Sequence, residues 1–187
     1  MVSLVAMHPQ IEALRAAVSR LPQGLAEHVE GTVAEARRLA RRYGIDEEQV
    51  ELAAWGHDLA RAFSPQELLA AARRFSLEVG PAEEQAPILL HGAVAAEMLR
   101  RDYGIDDPQV LAAARFHTVG RAGMSLLEKI IFVADKISPD KVRANPALAR
   151  VRDLADRDLD AAIAEYFRHR FWGVPAWVRG DALGLGG

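Results

Sequence analysis

The sequence predicts an all-α, single-domain helical bundle. Three observations carry this reading. Nearly every long segment repeats its apolar residues with a 3.6-residue period, none alternates with the period of a strand, and the good helix formers alanine and arginine are abundant. Residues 1–24 read as an N-terminal helical extension. Over 25–43, Val29, Val33, Ala36, Ala40 and Tyr43 form the apolar stripe of an amphipathic helix. Segments 47–62, 65–75, 91–103, 107–116 and 125–137 keep the same rhythm. Gly80-Pro81 and Ala86-Pro87 break the middle of the chain into turns. Residues 147–170 read as one or two further helices, with a break expected near Asp156-Arg157-Asp158. Periodicity ends at Gly173, and 180–187 read as a loose tail.

Composition narrows the function. The chain has 187 residues, 50% of them hydrophobic, with 23 basic against 26 acidic side chains, which is ordinary globular chemistry large enough for a buried core. The net charge of −3 argues against nucleic acid as a partner. The chain has no cysteine, which excludes disulfides, thiolate metal sites and a cysteine nucleophile. No apolar run approaches the roughly eighteen residues of a membrane span. Met1 to Met7 lack the positive start of a signal peptide, so a cytoplasmic location is expected. Neither a Gly-x-Ser-x-Gly elbow nor a Walker loop is present.

One internal echo points to a site. Arg42-Tyr43-Gly44-Ile45-Asp46-Glu47-Glu48-Gln49-Val50 parallels Asp102-Tyr103-Gly104-Ile105-Asp106-Asp107-Pro108-Gln109-Val110. Each reads as a helix end, a glycine C-cap, then Asp as N-cap with Gln three residues later as a capping box. A histidine follows each tyrosine by fourteen residues, His57 and His117, and another lies at or near the start of each preceding helix, His28 and His91. At 1.5 Å per residue, His28 lies roughly 22 Å before Tyr43, and the chain returns roughly 16 Å from Asp46 to His57. An antiparallel hairpin thus brings His28 and His57 to one end, and His91 and His117 likewise.

Two carboxylates accompany these four histidines. Asp58 follows His57 inside the apolar run Leu52-Ala53-Ala54-Trp55-Gly56-His57-Asp58-Leu59-Ala60, and Asp135 closes Ile130-Ile131-Phe132-Val133-Ala134-Asp135, the most hydrophobic stretch. A buried carboxylate is costly unless paired or bound to metal. Imidazole with carboxylate suits Zn, Mn, Fe, Co or Ni. His8, His169 and Lys129 lack such a context, and Lys129 reads as a solvent-facing helix residue.

These stretches resemble the HD superfamily of metal-dependent phosphohydrolases, and more closely the YqeK family of bacterial HD-domain proteins. The resemblance rests on Gly56-His57-Asp58-Leu59-Ala60-Arg61, on His91-Gly92-Ala93-Val94-Ala95-Ala96, and above all on the run from Arg115-Phe116-His117-Thr118 through Gly120-Arg121-Ala122-Gly123 to Asp135. It implies a core at 25–140, with 141–187 adding C-terminal helices and tail to the same domain, and a helical fold with two divalent metal ions, often iron, with Mn, Co, Ni or Zn as alternatives. It also implies symmetrical cleavage of diadenosine tetraphosphate to two ADP by a metal-activated hydroxide. By position, His28, His57, Asp58 and Asp135 would hold one metal and His91 and His117 the second, with Asp58 bridging. Asp58, His57 and Arg61 would carry catalysis. Arg61, Thr118 and Arg121 would contact phosphate, the arginines bidentately.

The chain departs from this family at its flanks. Leu25 stands where relatives often have arginine, Thr32 where an aliphatic residue is usual, and Ser138-Pro139-Asp140-Lys141 replaces a Glu-Pro-x-Arg type segment. Two other readings stay open: hydrolysis of another nucleoside di- or triphosphate, and nucleotide sensing with little turnover. A homodimer contact through Phe171, Trp172 and Trp177 is a further expectation.

Overall fold

The computed structural model describes residues 8–171, and within them eleven α-helices and one 3-10 turn, with no strand. Helix α1 (Pro9–Val18) starts with proline at its first position and buries Ile11, Leu14 and Val18. Helix α2 (Gln23–Tyr43) buries one face, from His28 and Val29 to Leu39 and Ala40, and stops at Gly44, whose φ of +66° favours a residue without a Cβ. Helix α3 (Glu47–Gly56) returns alongside it, and α1 packs on α3 within the same core. Helix α4 (Pro65–Arg74), opened by a Ser64–Glu67 capping box, and α5 (Pro81–Gln85) lead to the 3-10 turn Pro87–Leu90. Leu68, Ala72 and Phe75 of this region pack with Ala60, Leu90 and Val94 as a smaller second core.

The hairpin then repeats. Helix α6 (His91–Asp102) reverses at Gly104, φ +63°, into α7 (Pro108–Phe116). Their close approach requires Gly92, where a Cβ would come within 2.7 Å of the Arg115 carbonyl. Helix α8 (Leu126–Lys136) is the central element, touching α2, α3, α7, α10 and α11, which is why its side chains from Leu127 to Lys136 are almost all buried. Helix α9 (Pro139–Ala144) lies against α2 near Gly31, and the pair α10 (Leu148–Ala155) and α11 (Leu159–Phe171) packs on α8. The expected break at 156–158 lies between that last pair. Among the described residues no helix is long and apolar enough to cross a membrane.

Two local expectations are corrected. The helix read over 47–62 ends at Gly56, and 57–62 continue as turns closed by i→i−3 hydrogen bonds, such as Arg61 N–H to Asp58 C=O at 2.9 Å. The cause is His57, whose Nδ1–H donates to the Ala54 carbonyl at 2.7 Å and takes the acceptor that the next helical turn would use. The second correction concerns the caps. Asp107, not Asp106, caps α7 by accepting from Gln109 N–H, with Pro108 at the first helical position. Neither glutamine completes a capping box. Gln49 instead donates its side-chain amide to Asp107 at 2.7 Å, tying the two hairpin turns together. The tail 180–187, Trp172, Trp177 and the side chain of Phe171 lie outside the described residues.

Candidate metal centre

The two hairpins meet end to end. His28 on α2, His57 just past α3, His91 at the start of α6 and His117 just past α7 are all buried, with Asp58 and Asp135 between them. Ring centroids of His28 and His57 lie 5.8 Å apart, those of His57 and His117 4.8 Å, and those of His91 and His117 5.0 Å. All six candidate ligands come together in one cluster.

The backbone fixes which nitrogen faces inward. His57, His91 and His117 each donate Nδ1–H to the carbonyl three residues earlier, Ala54, Ile88 and Ala114, at 2.7, 2.5 and 2.7 Å. A carbonyl only accepts, so the proton sits on Nδ1 and the Nε2 lone pair is directed at the cluster. His28 differs. Its Nδ1 faces the Asp140 carboxylate at 3.1 Å and the Ser138 hydroxyl at 3.2 Å, and its Nε2 lies 3.0 Å from Asp135 Oδ1.

Asp58 divides its two oxygens between the hairpins. Oδ2 lies 3.5 Å from His57 Nε2 and 3.7 Å from His28 Nε2, while Oδ1 lies 3.3 Å from both His91 Nε2 and His117 Nε2. Donor atoms of His28, His57 and Asp58 form one group within 4.8 Å of each other, and those of Asp58, His91 and His117 a second. His57 Nε2 and Asp58 Oδ1 are buried without a hydrogen-bond partner, which is expensive for groups of this kind unless they coordinate a cation. The donor set thus fits divalent metal at two adjoining positions.

Electrostatics keep His57 and the two carboxylates in their ligating forms. Burial pushes the His57 imidazole down to about 4, so it is neutral near pH 7. Burial works against ionised Asp58, but His57, His117 and His91 outweigh it and hold the carboxyl well below its usual range. Asp135 is likewise held down, against burial, by Lys136, Lys141 and His28. Burial also disfavours a charged His28, yet its hydrogen bond to Asp135 prevails and raises it.

A cavity of about 510 Å³ opens onto the cluster, lined at its base by Asp58, His91, His117 and Asp135. Arg61 is exposed and lines it. Thr118 lines it too, its hydroxyl 3.1 Å from His91 Nε2 and 3.0 Å from His117 Nε2. Arg121 is not brought to the cavity. Its guanidinium forms a bidentate pair with Glu128 at 2.6 and 3.0 Å and covers the Phe116 ring. Lys129 pairs with Asp160 away from the centre.

Sequence reading missed the cations. Lys136 is buried, donates to Asp135 at 2.5 Å and to the His117 carbonyl at 3.1 Å, and so ties α8 to the end of α7. Lys141 pairs with the other Asp135 oxygen. The signal for Lys136 was a lysine next to an aspartate in the most apolar stretch. The signal for Asp140 and Lys141 was the departure at 138–141, which reads as a flank in sequence but touches His28 and Asp135 in space.

Against known families, the HD domain matches residues 25–140. The chain belongs to the HD domain family. It is 38% identical to the symmetrical bis(5'-nucleosyl)-tetraphosphatase of Bacillus subtilis over 84% of this chain and 83% of that protein. It is 40% identical to the Halalkalibacterium halodurans protein of the same name, over 81% and 80%. The crystal structure of a predicted HD superfamily hydrolase involved in NAD metabolism from Clostridium acetobutylicum superposes with a TM-score of 0.81 at 31% identity, covering 94% of this chain and 90% of that one. For an HD domain, the two adjoining donor groups are the natural place to look for divalent metal.

Proposed function

We propose that this protein is a cytoplasmic, metal-dependent phosphohydrolase that adds water to diadenosine tetraphosphate and releases two ADP. The observation that carries the reading is the division of Asp58: one carboxylate faces two histidines from each hairpin, at the base of a cation-lined cavity. The names of the Bacillus and Halalkalibacterium relatives support the substrate and the symmetrical cut. His28, His57, Asp58 and Asp135 would hold one divalent ion, iron by preference, and His91 and His117 the other, with Asp58 shared. Two such ions, when bound, supply water activation at neutral pH and neutralise charge on phosphate oxygens.

The chain's own residues do the rest. Asp58 and His57 fix the spacing of the two positions. Arg61 faces the polyphosphate with donors that remain charged at all relevant pH. Lys136 and Lys141 balance Asp135 and add positive field where the leaving ADP gathers charge. Thr118 places a hydroxyl beside the same phosphates. Arg121, committed to Glu128, is assigned no phosphate.

The deciding experiment is product analysis with metal-reconstituted protein, diadenosine tetraphosphate and a His57→Ala control. ADP as sole product, lost in the control, is expected. AMP with ATP would overturn the symmetrical cut, and absence of turnover with iron, manganese and cobalt would overturn the substrate.

Asp140 gives a second test. A carboxylate behind a ligating imidazole orients it and strengthens it as a donor, and only His28 has one. Asp140→Asn is expected to weaken binding of one Mn ion about ten- to hundredfold in a calorimetric titration and to leave the other unchanged. Equal weakening of both, or of neither, would remove Asp140 from this role.

A further inference from the structure

We infer that residues 141–169, which lie beyond the HD match, build the recognition wall for a nucleoside at the mouth of the metal cavity, with the 3-10 turn Pro87–Leu90 supplying its apolar counterpart. The inference rests on the phosphohydrolase reading for its orientation, phosphates inward and base outward. The lining is of two kinds: the buried metal cluster with the cations Arg61, Lys136 and Lys141, and a second set of Leu148, Tyr166, Ile88 and Leu89 with Asn145 and His169 as polar groups. Of this second set Ile88, Leu89, Asn145 and His169 are exposed and mark the rim.

The rim is chemically wrong for a bare polyphosphate. Ile88 is 36% and Leu89 40% exposed, two of the four large hydrophobic residues left exposed among those described, and both line this one cavity. Neither adds anything for an anion, whereas apolar contact and a π-face are what a base uses. Tyr166 supplies the aromatic element in a fixed position. Its ring meets Phe132 edge-on at 5.8 Å and Phe167 at 5.5 Å, and Phe132 and Phe167 stack on each other at 5.8 Å.

Lys136 joins the two chemistries. Its ammonium lies 4.8 Å from the Phe132 ring centre and 5.7 Å from that of Tyr166 while donating to Asp135. The aromatic wall and a metal-cluster carboxylate are therefore held by one side chain. That places a base surface one cation away from the phosphate end, as a nucleoside diphosphate half of the substrate requires. Asn145 and His169 are exposed; Asn145 Oδ1 accepts from Ala147 N–H and His169 Nε2 pairs with Glu165, which leaves the Asn145 amide N–H groups and His169 Nδ1 to meet a base edge.

The test compares ADP with pyrophosphate, which carries the same phosphates and no nucleoside, by calorimetry on metal-loaded, full-length protein. Wild type is expected to bind ADP at least about tenfold more tightly than pyrophosphate, the scale of one base on an aromatic surface. Tyr166→Ala should remove most of that advantage and leave pyrophosphate within about twofold. Because Tyr166 packs on Phe132 and Phe167, the exposed pairs Asn145→Ala with His169→Ala and Ile88→Ser with Leu89→Ser serve as variants that spare the core. Each pair should lower ADP affinity selectively. No ADP preference in wild type, or equal loss of both ligands in the variants, would overturn the wall. Selective ADP binding without cleavage of diadenosine tetraphosphate would overturn the proposed reaction and keep the wall. Cleavage with unaltered KM in all three variants would do the reverse.

Discussion

Asp58→Asn is expected to lower kcat by at least about a thousandfold while the helical fold survives, since several kcal/mol of charge stabilisation pass through the shared position. The substitution preserves volume and removes only an oxygen. Its expected severity comes from geometry: Oδ1 faces His91 and His117 at 3.3 Å each, and Oδ2 faces His57 and His28 at 3.5 and 3.7 Å. An amide offers one acceptor and presents N–H to the other pair, so it serves one hairpin and repels cations from the other. Metal analysis should therefore find one ion or fewer per chain, with helical circular dichroism unchanged. Full kcat with two ions retained would mean that Asp58 does not link the two positions, and the shared-carboxylate reading would fail.

Acid should weaken the chelated protein well before its carboxylates titrate. His57 has a pKa of about 4 in the folded state because burial excludes its charged form, against an unfolded value of 6.5. Between those values the unfolded chain binds a proton that the folded chain refuses, so stability falls as the pH drops from about 6.5 to about 4. A depression of this size corresponds to about 3 kcal/mol. His28 acts in the opposite sense, since its raised pKa favours the folded state on protonation. The His57 contribution is therefore isolated by comparing urea unfolding of wild type with His57→Gln across this range. The variant should show the flatter profile. Parallel profiles would mean that His57 is solvated in the folded protein.

Most of the helices were legible because their causes are local. The apolar stripe of α2, the glycine stop at Gly44 and the break before Leu159 each depend on a few neighbouring residues. The end of α3 was not legible, because it turns on which way the His57 ring points, and periodicity cannot see that a side chain will take the Ala54 carbonyl. The cap of α7 was misplaced by one residue for a related reason. Asp106 and Asp107 are chemically equal, and Pro108 together with the partner Gln49 across the hairpins selects the second.

The site divides in the same way. Four histidines could be selected from the sequence because the hairpin repeat has a fixed rise per residue and returns each pair to one end, and two aspartates because each sits in an apolar run where a carboxylate is costly. Arg121 looked equally suited to phosphate, since a guanidinium in a glycine-flanked loop carries no mark of its partner, and only packing gives it to Glu128. Lys136, Asp140 and the 141–169 wall needed three dimensions altogether, because each acts on groups far away in the chain: Asp140 on His28, Lys136 on the His117 carbonyl, Tyr166 on the mouth of a cavity whose base starts at Asp58. Sequence by itself determined the helical class, the duplicated hairpin and which histidines share one end of the bundle, since these follow from spacing along a regular rod. Tertiary structure alone decided which nitrogen each imidazole turns inward, how Asp58 is shared and which cations reach the cavity. Those depend on side-chain direction and on contacts between segments that no period in the chain records.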